Sequence, residues 1–376
     1  MDVLFLGWEF PPSSVGGLGT HSYELVKALA KKGVRVTVIL PGSTYREVPG
    51  VEIIGLGYNA RSIYSSRKVG PRVYGNIFDD MERYANGVVE ICRNKKFDII
   101  HANDWLTAKA GIMLKQILHK PLILTMHSTE YDRTAGNPWP LILDEEKKAV
   151  SSADIVIAVS ERLKQEIAQT YGIRESEIMV IHNAIDSSRF EPVHAGRRNK
   201  IILYVGRLSP QKGVDNLIKA FKIVSGRDDE ALLYIVGDGS ELPKLVHMAI
   251  DLGVADKVRF FGRIPDDEIE YMYSAASIFV MPSVSEPFGI TALEAVASMT
   301  PTIISKQSGV SEVIKNVFKV DFWDSKAMAD IILGIIKYPG VKEVMPREAY
   351  REITPITWDH VSEMFIAVYN RITSKA

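Results

Sequence analysis

The chain has 376 residues, 46% of them hydrophobic and 24% charged, with 45 Lys and Arg against 46 Asp and Glu. This composition excludes a disordered or fibrous chain, and a net charge of −1 offers no broad field for nucleic acid or an anionic membrane. The single cysteine, Cys92, excludes a disulfide framework within the chain and a cysteine metal cluster, which fits a reducing compartment.

At roughly 100–200 residues per domain, the length suggests two domains. No apolar run approaches the roughly 18 residues needed to span a bilayer. The opening run 1–10 lacks a basic start and is broken at Glu9 and Pro11. No signal peptide or integral membrane segment is expected, and the cytoplasm is the expected location.

In chain order, residues 3–6 read as a strand, followed by a glycine-rich turn, a helix over 20–32 and a strand over 35–40. Residues 57–87 read as the least regular stretch, a loop carrying Arg61, Arg67, Lys68 and Arg72 among Tyr58, Tyr64, Tyr74 and Tyr84. Further strands are predicted over 98–101, 122–126, 155–159 and 178–181. These runs are apolar on both faces, as strands of a covered parallel sheet should be. Apolar residues thin out over 186–200, where Pro192 and Gly196 mark a connection. The rhythm then restarts, with strands over 201–205, 232–236, 258–261, 278–281 and 302–305 and helices near 213–225, 240–252, 266–276 and 289–299. Two β/α alternations imply an α/β protein of two doubly wound, Rossmann-like domains. Last comes a helix with an apolar stripe of Trp358, Val361, Phe365, Val368 and Ile372, with Thr357 placed to cap it.

Four clusters carry chemistry-bearing residues. Gly16-Gly17-Leu18-Gly19 stands between the first strand and its helix, where backbone N–H groups can meet an anion. A bare strand-to-helix turn is the other reading; the spacing is neither a dinucleotide fingerprint nor a P-loop. Arg207 and Lys212 lie in the corresponding turn of the second half. They either grip two adjoining phosphates, at about 1.5–3 kcal/mol per charge-assisted hydrogen bond, or are solvated loop cations. Glu286 and Glu294 flank a helix start at Gly289-Ile290-Thr291. A diphosphate on those three N–H groups, with a hydroxyl-bearing ring against each carboxylate, matches the layout of a nucleotide-sugar. The bland reading makes Glu286 a helix-end charge and Glu294 a surface residue. Finally, His101-Ala102-Asn103-Asp104-Trp105 and Thr125-Met126-His127-Ser128 close two strands. His127 and Asp104 either face a sugar or are structural. No Asp-x-Asp and no His-x-x-x-His spacing occurs, so metal binding has little support.

Together these motifs resemble the retaining glycosyltransferases of sequence family 4, and within them the glycogen/starch-synthase-like group. The resemblance runs over nearly the whole chain and also rests on His182-Asn183-Ala184-Ile185-Asp186 and on Ser308-Gly309-Val310-Ser311-Glu312. It implies a GT-B fold: a first Rossmann-like domain over 1–186, a nucleotide-sugar-binding second domain over 187–355, the two facing across a cleft, and residues 356–376 returning to the first. It implies transfer with retention, needing no metal and no cofactor, from a nucleotide-diphospho-sugar to a glycan or other hydroxyl acceptor. Carried over by position, Arg207 and Lys212 hold the diphosphate and Gly289, Ile290 and Thr291 offer it their N–H groups. Gly17 approaches the distal phosphate from the other domain, with Gly16 beside it in the same substrate-binding turn. Glu294 binds the ribose, Glu286 the donor sugar near its 3-hydroxyl, and His127 the 6-hydroxyl region, with Asp104 beside it. The sequence departs from bacterial ADP-glucose synthases at Ser14, where those carry lysine, and has Met299-Thr300 where glycine usually precedes Pro301. The specific expectation is glucose transfer to an α-glucan. Alternatives are a lipid or small-molecule acceptor, a sugar-nucleotide epimerase or sensor, and a glycoside hydrolase using the two glutamates.

Overall fold

A computed structural model describes residues 1–12, 16–58, 60, 71–190 and 200–374, with the backbone alone at 71–76 and 339. Ser14, the basic residues Arg61, Arg67 and Lys68 with Tyr64, and the connection residues Pro192 and Gly196 lie outside the described residues, as do the side chains of Arg72 and Tyr74. The chain divides into two compact units. One comprises Met1–Glu130, Pro138–Asn183 and the segment from Trp358 on; the other comprises Tyr131–Asn137 and Ala184–Thr357.

The first unit runs β1 (Asp2–Leu6), α1 (Gly17–Lys31), β2 (Arg35–Leu40), β3 (Glu52–Gly55), α2 (Pro71–Cys92), β4 (Ile99–Asn103), α3 (Trp105–Leu118), β5 (Leu122–Met126), α5 (Pro140–Ser152), β6 (Ile155–Ala158), α6 (Glu161–Tyr171) and β7 (Ile178–Val180), while the short α4 (Glu130–Arg133) starts at its edge and otherwise belongs to the second unit. Its seven strands are parallel, in the order β3-β2-β1-β4-β5-β6-β7. The central strands β4 and β5 are buried along their whole length, as the unbroken apolar runs require.

The second unit runs β8 (Lys200–Val205), α7 (Val214–Ser225), β9 (Ala231–Val236), α8 (Leu242–Asp251), β10 (Val258–Gly262), α9 (Asp266–Ala275), β11 (Ile278–Met281), α10 (Ile290–Ala297), β12 (Thr302–Ser305), β13 (Phe318–Val320), α11 (Ser325–Lys337) and α12 (Pro339–Ile353). Its six parallel strands are ordered β10-β9-β8-β11-β12-β13 around a core that includes Ile202, Phe221, Ile235 and Val280. In both sheets the order reverses beside the first strand, between β1 and β4 and between β8 and β11. Ligands of open α/β sheets bind beyond the carboxyl ends of the strands at such a switch point.

The last helix, α13 (Trp358–Thr373), packs within the first unit. Trp358, Val361, Phe365, Val368 and Tyr369 are buried, while Ile372 is half-buried. Trp358 meets the His21 ring edge-on at 5.5 Å, and Phe365 stacks on His101 at 5.4 Å.

One sequence expectation is corrected. Residues 57–87 are not a single irregular loop, because from Pro71 onward the chain is the long helix α2. Ile77, Met81, Tyr84, Ala85, Val88 and Cys92 are all buried at helical spacing, and the Tyr84 hydroxyl donates to Ile39 O (2.9 Å). Tyrosines that resemble a loop surface are therefore partly core. The edge strands β3 and β13 have no counterpart among the expected elements; both are short and mostly half-buried.

Candidate functional site

In the second unit, the loops after β8 and β11 flank the switch point and are stitched together. Gly213 sits at φ +60°, and a Cβ there would lie 2.3 Å from Pro282 O, so only glycine allows the close approach. Gln211 is buried, and its carbonyl accepts from Val284 N (2.9 Å). This brings Lys212 onto the glutamate loop: its Nζ lies 2.6 Å from Glu286 Oε2. The same oxygen accepts from Ser283 Oγ (2.9 Å), whose side chain is fully buried. The backbone of Glu286 is pinned on both sides, its N–H donating to Gln307 O (3.0 Å) and its carbonyl accepting from Gly309 N (2.9 Å). Ser285, next in the loop, donates to the carboxylate of Asp132.

Arg207 enters from the same turn. The buried Tyr204 hydroxyl donates to Arg207 O (2.8 Å). Burial raises the Tyr204 pKa; the Glu286 carboxylate adds to the rise, and the Arg207 guanidinium opposes it. The two charges therefore act on one hydroxyl. Lys212 and Glu286, far apart in sequence, form an ion pair at the strand ends, and Arg207 stands at the start of the same turn as Lys212.

Gly289 caps α10 at φ +115°. A Cβ there would meet Met281 Cε at 2.8 Å and Glu286 Cγ at 3.3 Å. The first backbone bond at this end runs from Ala292 N to Gly289 O (3.1 Å). The N–H groups of Ile290 and Thr291 thus stand ahead of the helical ladder, where an anion is favoured. One turn further, Glu294 Oε2 accepts from the buried Tyr273 hydroxyl (2.8 Å). Burial pushes the Glu294 carboxyl up to about 7, against the opposing Tyr273 hydrogen bond and Arg189 charge. Arg189 is itself shared with Glu270 (3.1 Å) and Asp266 (3.5 Å). The residue as a whole is half-buried, whereas its carboxyl group is strongly desolvated. The surface-residue reading of Glu294 is thereby replaced.

In the first unit, α1 begins at Gly17, three residues earlier than expected, with an exposed Gly16 as its extended N-cap. No atom stands within 4 Å of a Cβ built on Gly16. Asp104 is completely buried and caps α3, accepting from Trp105 N (2.9 Å) at a positive φ of 79°. That backbone conformation is uncommon outside glycine, so the packing of β4 and α3 enforces it. His101 is core: its ring nitrogens lie 2.7 Å from Tyr369 Oη and 2.8 Å from Thr125 Oγ1. His127 is half-buried, with Nε2 2.9 Å from Asn103 Oδ1 and its ring 4.4 Å from that of His21. Burial lowers all three histidines, to about 4 for His21 and about 3 for His101.

Sequence reasoning missed Ser283 and Tyr273, which hold the two glutamates, and Arg189, whose charge acts on Glu294, and assigned no part to Asn103. The only available signal was their position, one loop or strand end away from a singled-out residue. Among the described residues no group of three or more His, Cys, Asp or Glu side chains could hold a metal ion, and no helix is long and apolar enough to cross a membrane.

Residues 15–189 match the model of Glycosyltransferase Family 4, and residues 187–352 match that of glycosyl transferases group 1. An uncharacterised glycosyltransferase from Methanocaldococcus jannaschii is 31% identical, with 98% of each chain covered. Glycogen synthase from Mycobacterium tuberculosis is 31% identical as well, over 98% of this chain and 94% of its own. Among solved structures, the sucrose-phosphate synthase of Thermosynechococcus elongatus superposes with a TM-score of 0.85 at 22% identity, with 100% of each chain covered.

Proposed function

This chain belongs to the family 4 glycosyltransferases, and from that premise we propose that it moves a hexosyl group, glucose in the specific form of the proposal, from a nucleotide-diphospho-sugar to an acceptor hydroxyl. One observation carries this reading: the loops on either side of the β8/β11 switch point pair Lys212, from the turn that also carries Arg207, with Glu286 beside Gly289 at the start of α10. That group suits a ligand with an anionic middle and hydroxyl-bearing ends. The diphosphate takes the two cations and the N–H groups of Gly289, Ile290 and Thr291. Glu294 receives the ribose hydroxyls and Glu286 the donor sugar, while His127, Gly16 and Gly17 serve the sugar and distal phosphate as the resemblance assigns. Asp104 supports this surface as the cap of α3.

The chemistry follows from charge. The bond between the anomeric carbon and the phosphate oxygen breaks, and a bond from that carbon to the acceptor oxygen forms. The acceptor proton passes to the departing phosphate on the same face, so configuration is retained. Negative charge develops on the diphosphate, where Arg207 and Lys212 stabilise it in place of a metal. Lys212 is already paired with Glu286. Donor binding therefore adds a second anion to an oriented ammonium rather than ordering a free side chain. An α-glucan acceptor is supported by the full-length likeness to a glycogen synthase.

The experiment is incubation with UDP-glucose, ADP-glucose and GDP-mannose in turn, with and without maltooligosaccharide and with EDTA present, followed by NMR of the anomeric signals. An α-linked product formed despite the chelator is expected. Failure to bind or turn over any donor refutes the reading. Sugar release from a plain glycoside would make the protein a hydrolase, and donor isomerisation without acceptor would make it an epimerase.

A further inference from the structure

A chain of buried hydrogen bonds in the first unit ends on His127 and fixes which of its ring nitrogens carries hydrogen. It begins at a group with no choice: the carbonyl of Leu18 only accepts, so the Ser22 hydroxyl, 2.8 Å away, donates to it. Its single hydrogen being used, the Ser22 oxygen accepts from its other neighbour. That neighbour is the side-chain amide of Asn103 at 2.9 Å, so the nitrogen of that amide faces Ser22. The amide oxygen then faces His127 Nε2 at 2.9 Å. An amide oxygen accepts, so Nε2 carries the hydrogen. Ser22 and Asn103 are both completely buried, and water does not compete for these bonds. Burial, with His21 and His101 close by, holds His127 well below the ordinary histidine range. The ring is therefore neutral near pH 7 and has one hydrogen, which leaves Nδ1 with a lone pair. Among the described residues no protein group bonds to Nδ1.

We propose that Asn103 is a positioning residue that locks His127 in the Nε2–H form, so that Nδ1 meets the donor sugar as an acceptor and selects a hydroxyl over a carboxylate or a missing oxygen. This rests on the reading of His127 as a sugar contact. A hydroxyl presents a hydrogen to the lone pair. A uronate carboxylate presents only lone pairs, and a deoxy sugar presents nothing. One net hydrogen bond of about 0.5–1.5 kcal/mol corresponds to about 2–10-fold in kcat/KM.

The test has two arms. In the first, protein with ring-15N histidine is examined by long-range 1H–15N NMR, the His127 signals being assigned by comparison with His127→Asn. A neutral ring protonated at Nε2 is expected. Asn103→Asp, which keeps an acceptor at that place, should retain the pattern, and Asn103→Leu should lose it. A wild-type ring protonated at Nδ1, or a pattern unchanged in Asn103→Leu, overturns the proposal whether or not any variant is active. In the second arm, whichever of UDP-glucose and ADP-glucose is turned over is compared with its 6-deoxy and 6-carboxylate analogues. The preference for the hydroxyl should be about 2–10-fold or more and should collapse toward unity in Asn103→Leu, with KM affected more than kcat. Equal use of all three by the wild type overturns the selection. Failure to use any donor instead removes the underlying functional reading and leaves the tautomer to the first arm.

Discussion

Replacing His101 by glutamine should destabilise the first unit by an amount that shrinks as the solution is acidified. His101 lies at the centre of the first unit, bonded to Tyr369 and Thr125 and stacked on Phe365, with Phe5 edge-on at 5.0 Å. It stays neutral in the folded state down to about pH 3, whereas its unfolded value is 6.5. Between those limits the unfolded chain binds the extra proton, so the native histidine costs stability as pH falls. The penalty grows by about 1.4 kcal/mol per pH unit below the unfolded value. Integrated from pH 8 to pH 5, it is about 2 kcal/mol. Glutamine does not titrate, and it can offer both a donor and an acceptor to Tyr369 and Thr125. Urea unfolding of wild type and variant at pH 8, 7, 6 and 5 gives the difference at each pH, from which groups common to both chains, such as Glu294, cancel. The variant's disadvantage should fall by about 2 kcal/mol across the series. A difference that stays constant with pH would mean that His101 takes up its proton in the fold as readily as in the unfolded chain, and the neutral histidine cluster would be wrong.

Arg207→Ala or Lys212→Ala should each lower turnover by roughly 10²–10³, as loss of one charge-stabilising donor does, checked by steady-state kinetics on the accepted donor. Glu294, poised at about 7, should bind ribose hydroxyls best when ionised. The donor KM should therefore fall as pH rises from 6 to 8, and Glu294→Gln should raise KM and flatten that dependence. Gly289→Ala forces a side chain into φ +115° and against Met281; thermal unfolding should show a loss of more than about 1 kcal/mol.

Strands buried on both faces were legible because their apolar runs are unbroken, as at 122–126, where β5 has the expected bounds. The helix α2 was not, because Tyr58, Tyr74 and Tyr84 among basic residues resemble a surface loop until Tyr84 is seen buried against Ile39 O. The edge strands β3 and β13 were missed for a related reason: half-exposed residues carry no continuous apolar signal. In the site, sequence spacing singled out Arg207, Lys212 and Glu286, yet it did not contain the pairing of Lys212 with Glu286, which depends on β8 lying beside β11. Nor could it distinguish His101 from His127. Both close a strand, and only burial against Tyr369 and Phe365 makes the first a core residue. Ser283, Tyr273 and Asn103 are common residue types whose roles arise from what they touch.

The most direct test is calorimetric titration of UDP, ADP and GDP into the wild-type protein and into Arg207→Ala and Lys212→Ala. At least one nucleoside diphosphate should bind, more tightly than its monophosphate, and both variants should weaken it by about tenfold or more, the equivalent of about 1.4 kcal/mol. Wild-type affinity in both variants, or no preference for the diphosphate, would contradict the assignment of these two cations to the donor.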